Sequence, residues 1–424
     1  MCVVVFTLLS SPNIRNKVGR QSLPSTYNLK NFFKKIFKKS NGFANGKPTR
    51  QHIEFDDNLL DKNAIKVIKT IYKAGYEVYL VGGCVRDLLL GLKPKDFDIA
   101  TSAKPEQVHK LFKRSRLIGK RFRLVHVLFG VRDFLEVATF RSGKVKTAKN
   151  GVIVRDNHYG RIEDDVVRRD FNINALYYDI HTKEVIDYVG GLEDIRAGEI
   201  HVIGNAAKRF AEDPVRMIRA IRFAEKLGSE MSEEIKVAIL KQAPLLGNVS
   251  SARLYEECIK LFQNEYSFAV YEQLEKYGLL RYLFKQTHKN DFIKKACNNT
   301  SERIKQGKPV TPVFLFAVFL WQAQNERFAL IKKKQRSFHL AQLQACDEAI
   351  INQIKQVSMP RYITAKMRDV WMMQHKLEKM QPKKIQFLLE HRGFRIAYDF
   401  LVLRSQSINP ELKKTADFWT KAQQ

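Results

Sequence analysis

The chain divides by the period of its apolar positions. Residues 59–74 carry them at helical spacing, predicting an amphipathic helix that Gly75 stops. Residues 77–81 (EVYLV) read as a strand running into Gly82-Gly83, and 85–90 as a short helix ended by Gly91. A second strand is expected at 96–100, a helix at 105–112, and strands at 125–129 and 134–139 around a turn at 130–133. Strands and short helices alternating between residues 76 and 140 predict a small α/β domain. Residues 175–180 and 185–188 read as a last hairpin, and beyond Gly191 the strand signal fades. Helices are expected at 214–227, 233–242, 252–262, 267–277, 314–322, 340–357, 363–377 and 393–403, about eight in an all-α second half with no fixed-period repeat.

This pattern predicts an α/β head followed by an all-α region. The expected divisions are a basic arm at 1–50, a head at 51–190, a helical neck at 191–250, a helical body at 251–360 and a helical tail at 361–424. The length, 424 residues, agrees with two to four domains. Residues 1–50 hold ten Lys or Arg and no acidic residue. Within them, 28–39 (NLKNFFKKIFKK) can set Phe32, Phe33, Ile36 and Phe37 against Lys34, Lys35, Lys38 and Lys39. That is a helix induced on RNA or anionic lipid, or a solvated tail without fixed structure.

Charge narrows the function. Lys and Arg number 74 against 44 Asp and Glu, a net charge of +30, and the excess is clustered. Such a field calls for a polyanion, with nucleic acid ahead of lipid; ancestry in a basic proteome is the alternative. The longest apolar run, 310–320, contains Thr311 and Pro312 and is shorter than the roughly 20 residues a membrane span needs. Cys2, Cys84, Cys258, Cys297 and Cys346 form no C-x-x-C pair, which fits a reducing compartment. The first residues, MCVVVFTLLS, make a poor signal peptide, so the cytoplasm is expected.

Three acidic positions carry the candidate chemistry. In KDFDIA, period-2 spacing puts Asp96 and Asp98 on one strand face and Phe97 and Ile99 on the other. Glu136, in FLEVATF, is the third carboxylate. Three such groups at one sheet edge repel unless a divalent cation lies between them, and Mg²⁺ suits hard oxygen ligands. A solvated strand end is the competing interpretation of D-x-D alone. Gly82-Gly83 between strand and helix lets backbone approach phosphates, with Arg86 and the cluster Lys120, Arg121 and Arg123 nearby in sequence. No G-K-[ST] follows, so this is not a P-loop. Glycines for phosphate followed by carboxylates for metal is the layout of nucleotidyl transfer, with a two-ion Mg²⁺ site or Mn²⁺ in its place.

Two further clusters extend the site. In RRDFNINAL, Arg168 or Arg169 can meet a triphosphate, and Asp170 and Asn174 ribose or base; alternatively Asp170 caps local structure and pairs with an arginine. In RFAEDPVRMIRAIRF, Asp213 is an expected N-cap, and Arg216, Arg219 and Arg222 recur every third residue as a nucleotide wall or a solvated stripe. No covalent nucleophile is offered, and His126 is better placed to position substrate or structure than to act as a base.

At these residues the sequence resembles the bacterial poly(A) polymerase and tRNA CCA-adding nucleotidyltransferase superfamily, class II. The resemblance rests on LVGGCVRDLLLG (80–91), KDFDIA (95–100), EVATFR (136–141), RRDFNINALYYD (168–179) and RFAEDPVRMIRAIRFA (209–224). It implies a DNA-polymerase-β-like head with a mixed sheet and an elongated helical neck and body. It also implies metal ligation by Asp96, Asp98 and Glu136. Arg169, Asp170 and Asn174 would hold ATP, and Asp213 and Arg216 would sit at the base. Cys84 and Asn172 stand where the family usually has glycine and threonine. Residues 117–127 (LIGKRFRLVHV), 284–321 and 392–404 resemble the poly(A) polymerase branch, although the end, DFWTKAQQ, lacks the arginine-rich extension common there.

The expectation is a template-independent adenylyltransferase that adds AMP from ATP to RNA 3′ ends in polyadenylation and RNA turnover. It would be a monomer, with RNA-degradation or RNA-chaperone proteins as partners. The rivals are a CCA-adding enzyme using CTP and ATP, and a catalytically silent RNA-binding protein.

Overall fold

Short segments with alternating apolar positions pair into one mixed sheet, and each pairing fixes which side chains reach its edge. The computed structural model describes residues 47–423 apart from 120–122, 131–132, 143–145, 148–152, 156–157 and 288–289. The expected arm therefore lies almost wholly outside the described residues, as do Lys120 and Arg121. The chain forms two units: one runs to Arg216 and includes Leu227–Ala238, and the other comprises Met217–Lys226 and Ile239–Gln424. The expected neck is thus divided between them.

The strands are β1 (Thr49–His52), β2 (Val78–Val81), β3 (Asp98–Thr101), β4 (Ser115–Ile118), β5 (Leu124–Leu128), β6 (Phe134–Thr139), β7 (Lys146–Thr147), β8 (Ile153–Arg155), β9 (Leu176–Asp179), β10 (Glu184–Asp187), β11 (Glu199–Ile200) and β12 (Glu230–Met231). Eight form one sheet in the order β1-β10-β9-β2-β3-β6-β5-β4. Within it β3 and β6 run parallel, while the other neighbours are antiparallel. The sheet begins at Thr49, two residues before the expected start of the head. β1 and β4 went unforeseen because they lie on the sheet's two edges and bury little. Alternation is then a weak signal.

The helices of this unit are α1 (Lys62–Lys73), α2 (Gly83–Leu89), α3 (Pro105–Leu111), α4 (Ile162–Val166), α5 (Gly191–Ala197) and α6 (Ala206–Glu212), followed by α7 (Val215–Leu227) and α8 (Glu233–Gln242), which both cross the division. Asp61 caps α1 by accepting from the Ala64 amide at 2.8 Å, and Gly75, at φ +85°, ends the turn after it. The core under the sheet gathers Val81, Ala100, Phe140, Ile162, Val166, Ala175, Tyr177, Ile186 and Ile203.

The second unit is helical: α9 (Ser251–Phe262), α10 (Ser267–Lys276), α11 (Leu280–Leu283), α12 (Asp291–Lys305), α13 (Pro312–Phe319), α14 (Trp321–Lys332), α15 (Phe338–Ile354), α16 (Arg361–Lys379), α17 (Ile385–Leu389), α18 (Phe394–Ser405) and α19 (Lys413–Ala422). This exceeds the expected count. α12 buries Phe292 and Ile293 in its first turn, but its inward face continues as Ala296, Cys297, Thr300 and Ser301, too small or polar to extend the apolar stripe. The single helix expected at 314–322 is two, α13 and α14, which meet at Leu320. No described helix is long and apolar enough to cross a membrane.

Candidate active site

The pairing of β3 with β6 sets Asp98 directly opposite Glu136. Ile99 and Val137 follow them into the core, which leaves both carboxylates on the other face. Asp96 is exposed and precedes the strand instead of opening it, contrary to the expected strand at 96–100. Pairing with β2 ends at Val81–Asp98. The chain turns away at Gly82, and residues 96–97 find no partner strand.

The Asp98 carboxyl is raised above its ordinary range, first by desolvation and then by Glu136 and Asp96, while Arg169 pulls it back. The side chain opens to solvent on one side only, so the protein atoms around it still strip away water. His126, the cross-strand partner of Glu136, places Nε2 at 3.3 Å from Glu136 Oε1 and stacks on Phe134 at 4.1 Å. Among the described residues no three His, Cys, Asp or Glu side chains already close around one point. The carboxylates share an edge without forming a finished cage. Their mutual repulsion and all-oxygen chemistry still suit a hard divalent cation.

Beside this edge, β2 enters the glycine turn. Gly82 has φ +79° and ψ −129°, and its amide donates to the Leu176 carbonyl at 3.1 Å. A Cβ there would lie 3.4 Å from Arg169 Nη1 and 3.6 Å from the Asn174 carbonyl. Gly82→Ala is expected to lose about 2 kcal/mol of stability from backbone strain. Both distances are ordinary contacts, so the loss comes from the backbone alone, and urea titration will measure it. Gly83 opens α2, two residues earlier than expected. Cys84 is inert: it is buried, and its thiol is pushed up to about 12, by burial first and Asp98 second.

Arg86 is turned inward and does not face an open cleft. It is 3% exposed, donates Nη1 to Asn174 Oδ1 at 2.5 Å, and meets Asp87 Oδ1 through Nε and Nη2 at 2.9 and 2.6 Å. Asn174 in turn donates Nδ2 to Asp170 Oδ1 at 3.2 Å, and the same oxygen accepts the Phe171 amide at 2.9 Å. Asp170 therefore precedes, and Asn174 ends, a single 3-10 turn, Asn172–Asn174, which Arg86 braces through Asn174.

Asp165 holds the Arg169 guanidinium. Its Oδ2 accepts the Tyr177 hydroxyl at 2.7 Å and Arg169 Nε and Nη2 at 3.2 and 2.9 Å, and its Oδ1 accepts the Arg141 amide at 3.3 Å. Burial works to lower the Arg169 pKa, but Tyr177 and Asp165 outweigh it and hold the guanidinium charged. Arg168 is pushed down to about 10, by burial first and then by Arg141, Arg209 and Arg216. Arg209 donates Nη2 to the carbonyls of Arg168 and Arg169 at 3.0 and 2.6 Å. Five arginines, Arg141, Arg168, Arg169, Arg209 and Arg216, therefore lie within electrostatic reach of one another, an arrangement that favours a polyanion. Sequence reasoning missed Arg141, Asp165 and Arg209 as parts of this group. Their signal was their place inside the same motifs, EVATFR, EDDVVRRD and RFAEDP.

The helix after Asp213 is only partly the expected stripe. Asp213 Oδ1 accepts the Val215 amide at 3.3 Å, which makes it a cap, and α7 starts at Val215. Arg216 reaches back to the Arg209 carbonyl at 2.9 Å and Glu212 Oε2 at 3.2 Å. In the second unit Arg219 lies 3.8 Å from Glu257 Oε1, and Arg222 sits over the Phe223 ring at 4.4 Å. All three are half-buried and engaged. Arg123, from the other basic cluster, pairs with Glu106.

Comparison with known proteins agrees with this layout. The family model described as the Poly A polymerase head domain matches residues 78–201, "Probable RNA and SrmB- binding site of polymerase A" matches 228–290, and "Polymerase A arginine-rich C-terminus" matches 334–424. The last match spans the helical residues from Lys334 to the end of the sequence. Poly(A) polymerase I of Escherichia coli O6:H1 is 43% identical over 397 residues, covering 89% of this chain and 85% of its own. The Haemophilus influenzae protein of that name is 38% identical over 412 residues, covering 90% and 91%. The CCA-adding enzyme of Bacillus pumilus is 39% identical over 208 residues, 48% of this chain and 50% of its own. Among solved structures, the Bacillus stearothermophilus CCA-adding enzyme in complex with CTP superposes with a TM-score of 0.59 at 27% identity, covering 85% of this chain and 80% of that one.

The mixed sheet, its acidic edge and its glycine turn define a nucleotidyltransferase head carried by a helical protein. The chain belongs to the poly(A) polymerase family. It is an enzyme, a polynucleotide adenylyltransferase.

Proposed function

We propose that the enzyme extends RNA 3′ ends with AMP from ATP without a template, that Asp96, Asp98 and Glu136 hold divalent metal, and that the arginines around Asp165 hold the triphosphate. The register of Asp98 against Glu136 beside the Gly82 turn is the observation that carries it. Mg²⁺, or Mn²⁺ in its place, when bound would ready the 3′-hydroxyl and neutralise charge on the phosphates. Asp98 and Glu136 present the hard oxygens. Arg168, Arg169, Arg141 and Arg209 offer the triphosphate its counter-charge, and Asp170 and Asn174 lie where a ribose can be read. Asp213 and Arg216 face the base. The 3′-hydroxyl gives up its proton to solvent, its oxygen bonds the α-phosphorus, the α–β anhydride bond breaks, and pyrophosphate leaves.

RNA engages the helical unit through its backbone. Exposed Lys332, Lys333, Lys334 and Arg336 support this. Arg219 and Arg222, tied to Glu257 and Phe223, are assigned to helix packing in place of ATP contact. We assign the enzyme to RNA turnover in the cytoplasm, as a monomer meeting RNA-degradation or RNA-chaperone proteins. Cys84, Cys258, Cys297 and Cys346, all free and buried, fit a reducing compartment.

Incubation of a short unstructured RNA with ATP alone, CTP alone and both tests the assignment. Homogeneous A tails from ATP alone are expected. Ordered C, C, A addition from the mixture would make it a CCA-adding enzyme. Absence of incorporation from any nucleotide with Mg²⁺ would leave an RNA-binding protein.

A further inference from the structure

Behind the nucleotide turn lies a couple of titratable side chains that the reaction itself does not use. The segment after β11 grips the turn 170–174 from one side. The Asn172 amide donates to the His201 carbonyl at 3.1 Å and the Ile203 amide to the Asp170 carbonyl at 3.2 Å, and Phe171 bridges Val202. From the other side α5 presses so close that a Cβ on Gly191 would fall 2.3 Å from the Asn172 carbonyl oxygen. Asp187 fixes the start of α5 by accepting four backbone amides, those of Val189, Gly190, Gly191 and Leu192.

Asp194, on α5, joins the two sides. It is 8% exposed, and its Oδ1 meets His201 Nδ1 at 3.0 Å. Its Oδ2 is sealed from water, and the carboxylate's partners are His201 and the Asn172 side chain, the latter from the turn itself. A carboxylate buried this way costs stability. We propose that Asp194 and His201 are positioning residues that seat the 170–174 turn for ATP, the His201 carbonyl holding the Asn172 amide while its imidazole is anchored to α5. This rests on the adenylyl-transfer assignment above.

The charges around the couple give it a pH dependence. Asp194 is pushed up to about 6 by burial first; His201 and the Asn172 side chain draw it down, and Asp187 pushes it up. Glu199 Oε2 lies 3.8 Å from the other His201 nitrogen, and Arg196 and Glu193 on α5 bond one another. Above about pH 6 the carboxylate is ionised and holds His201; as pH falls through that value the hold is lost. For stability the sign is opposite. A raised folded-state pKa contributes stability below the ordinary Asp range that is lost as pH rises through about 6. Asp194→Asn is therefore expected to melt no lower than wild type at pH 7.5 while binding ATP more weakly.

The test measures ATP Kd, KM and kcat on a short RNA, with melting curves, for wild type, Asp194→Asn, His201→Ala and His201→Asn. Asp194→Asn and His201→Ala are expected to raise KM and Kd about tenfold with kcat nearly unchanged. His201→Asn, whose amide reaches the place of Nδ1, should recover most of the loss. The wild-type KM should rise between pH 7.5 and 5.5 by more than that of Asp194→Asn. A folded Asp194→Asn with KM within twofold of wild type overturns the proposal, and so does a His201→Asn no better than His201→Ala. Should His201→Ala fail to fold, Asp194→Asn alone decides. If wild type neither binds nor uses ATP, the adenylyl-transfer assignment fails first and takes this one with it, a result visible before any variant is made.

Discussion

Asp98→Asn is expected to reduce AMP incorporation by about 10³-fold or more while the protein stays folded and still binds RNA. Metal-assisted charge stabilisation is worth several kcal/mol, and about 1.4 kcal/mol is a decade in rate. The amide keeps the shape of the side chain but removes the charge that faces Glu136 across β3 and β6. Because Glu136 and Asp96 already crowd this carboxyl, removing its charge relieves repulsion, and the melting temperature should not fall. Added Mg²⁺ should raise the melting temperature of wild type more than that of the variant, since a cation that binds only the folded state stabilises it. Single-turnover extension with Mg²⁺ and then Mn²⁺ gives the rate. A variant within tenfold of wild type would remove Asp98 from the chemistry.

Asp165→Ala is expected to lose roughly 3 kcal/mol of stability and to weaken ATP binding in the same stroke. This side chain is 12% exposed and takes Arg169 and Tyr177 on a single oxygen. Without it the Arg169 guanidinium keeps its burial and loses its counter-charge, which is the costly way to break such a pair. Arg169 also lies against the Gly82 turn, so its release disturbs the proposed phosphate seat. Tyr177→Phe, which spares the Arg169–Asp165 pair, should cost only about 1 kcal/mol. Urea midpoints and ATP KM check both, and equal effects from the two variants would show that Asp165 is not what holds Arg169.

Much of the site was legible because its motifs are local. Gly82-Gly83 after a strand, the D-x-D spacing and the capping Asp213 each depend on neighbours a few residues away, and the strand at Phe134–Thr139 has the expected bounds. What was hidden depended on partners far along the chain. Arg86 looked like a phosphate ligand until Asn174, 88 positions away, took its Nη1. Asp165 drew no reading of its own, because Tyr177 and the Arg141 amide, which close on it, lie 12 and 24 positions away. β1 was invisible because it is read only against β10.

By itself the sequence determined the residue types, the order of head and helical region, the basic excess and the family resemblance, because periodicity, caps and glycine turns are set by neighbouring residues. Only the tertiary structure decided that Asp98 faces Glu136, that Asp96 stands outside the strand, that Asp165 and Tyr177 hold Arg169 and that His201 stands behind the 170–174 turn. Sheet order and register bring together side chains tens of residues apart, and no local pattern records which strands become neighbours.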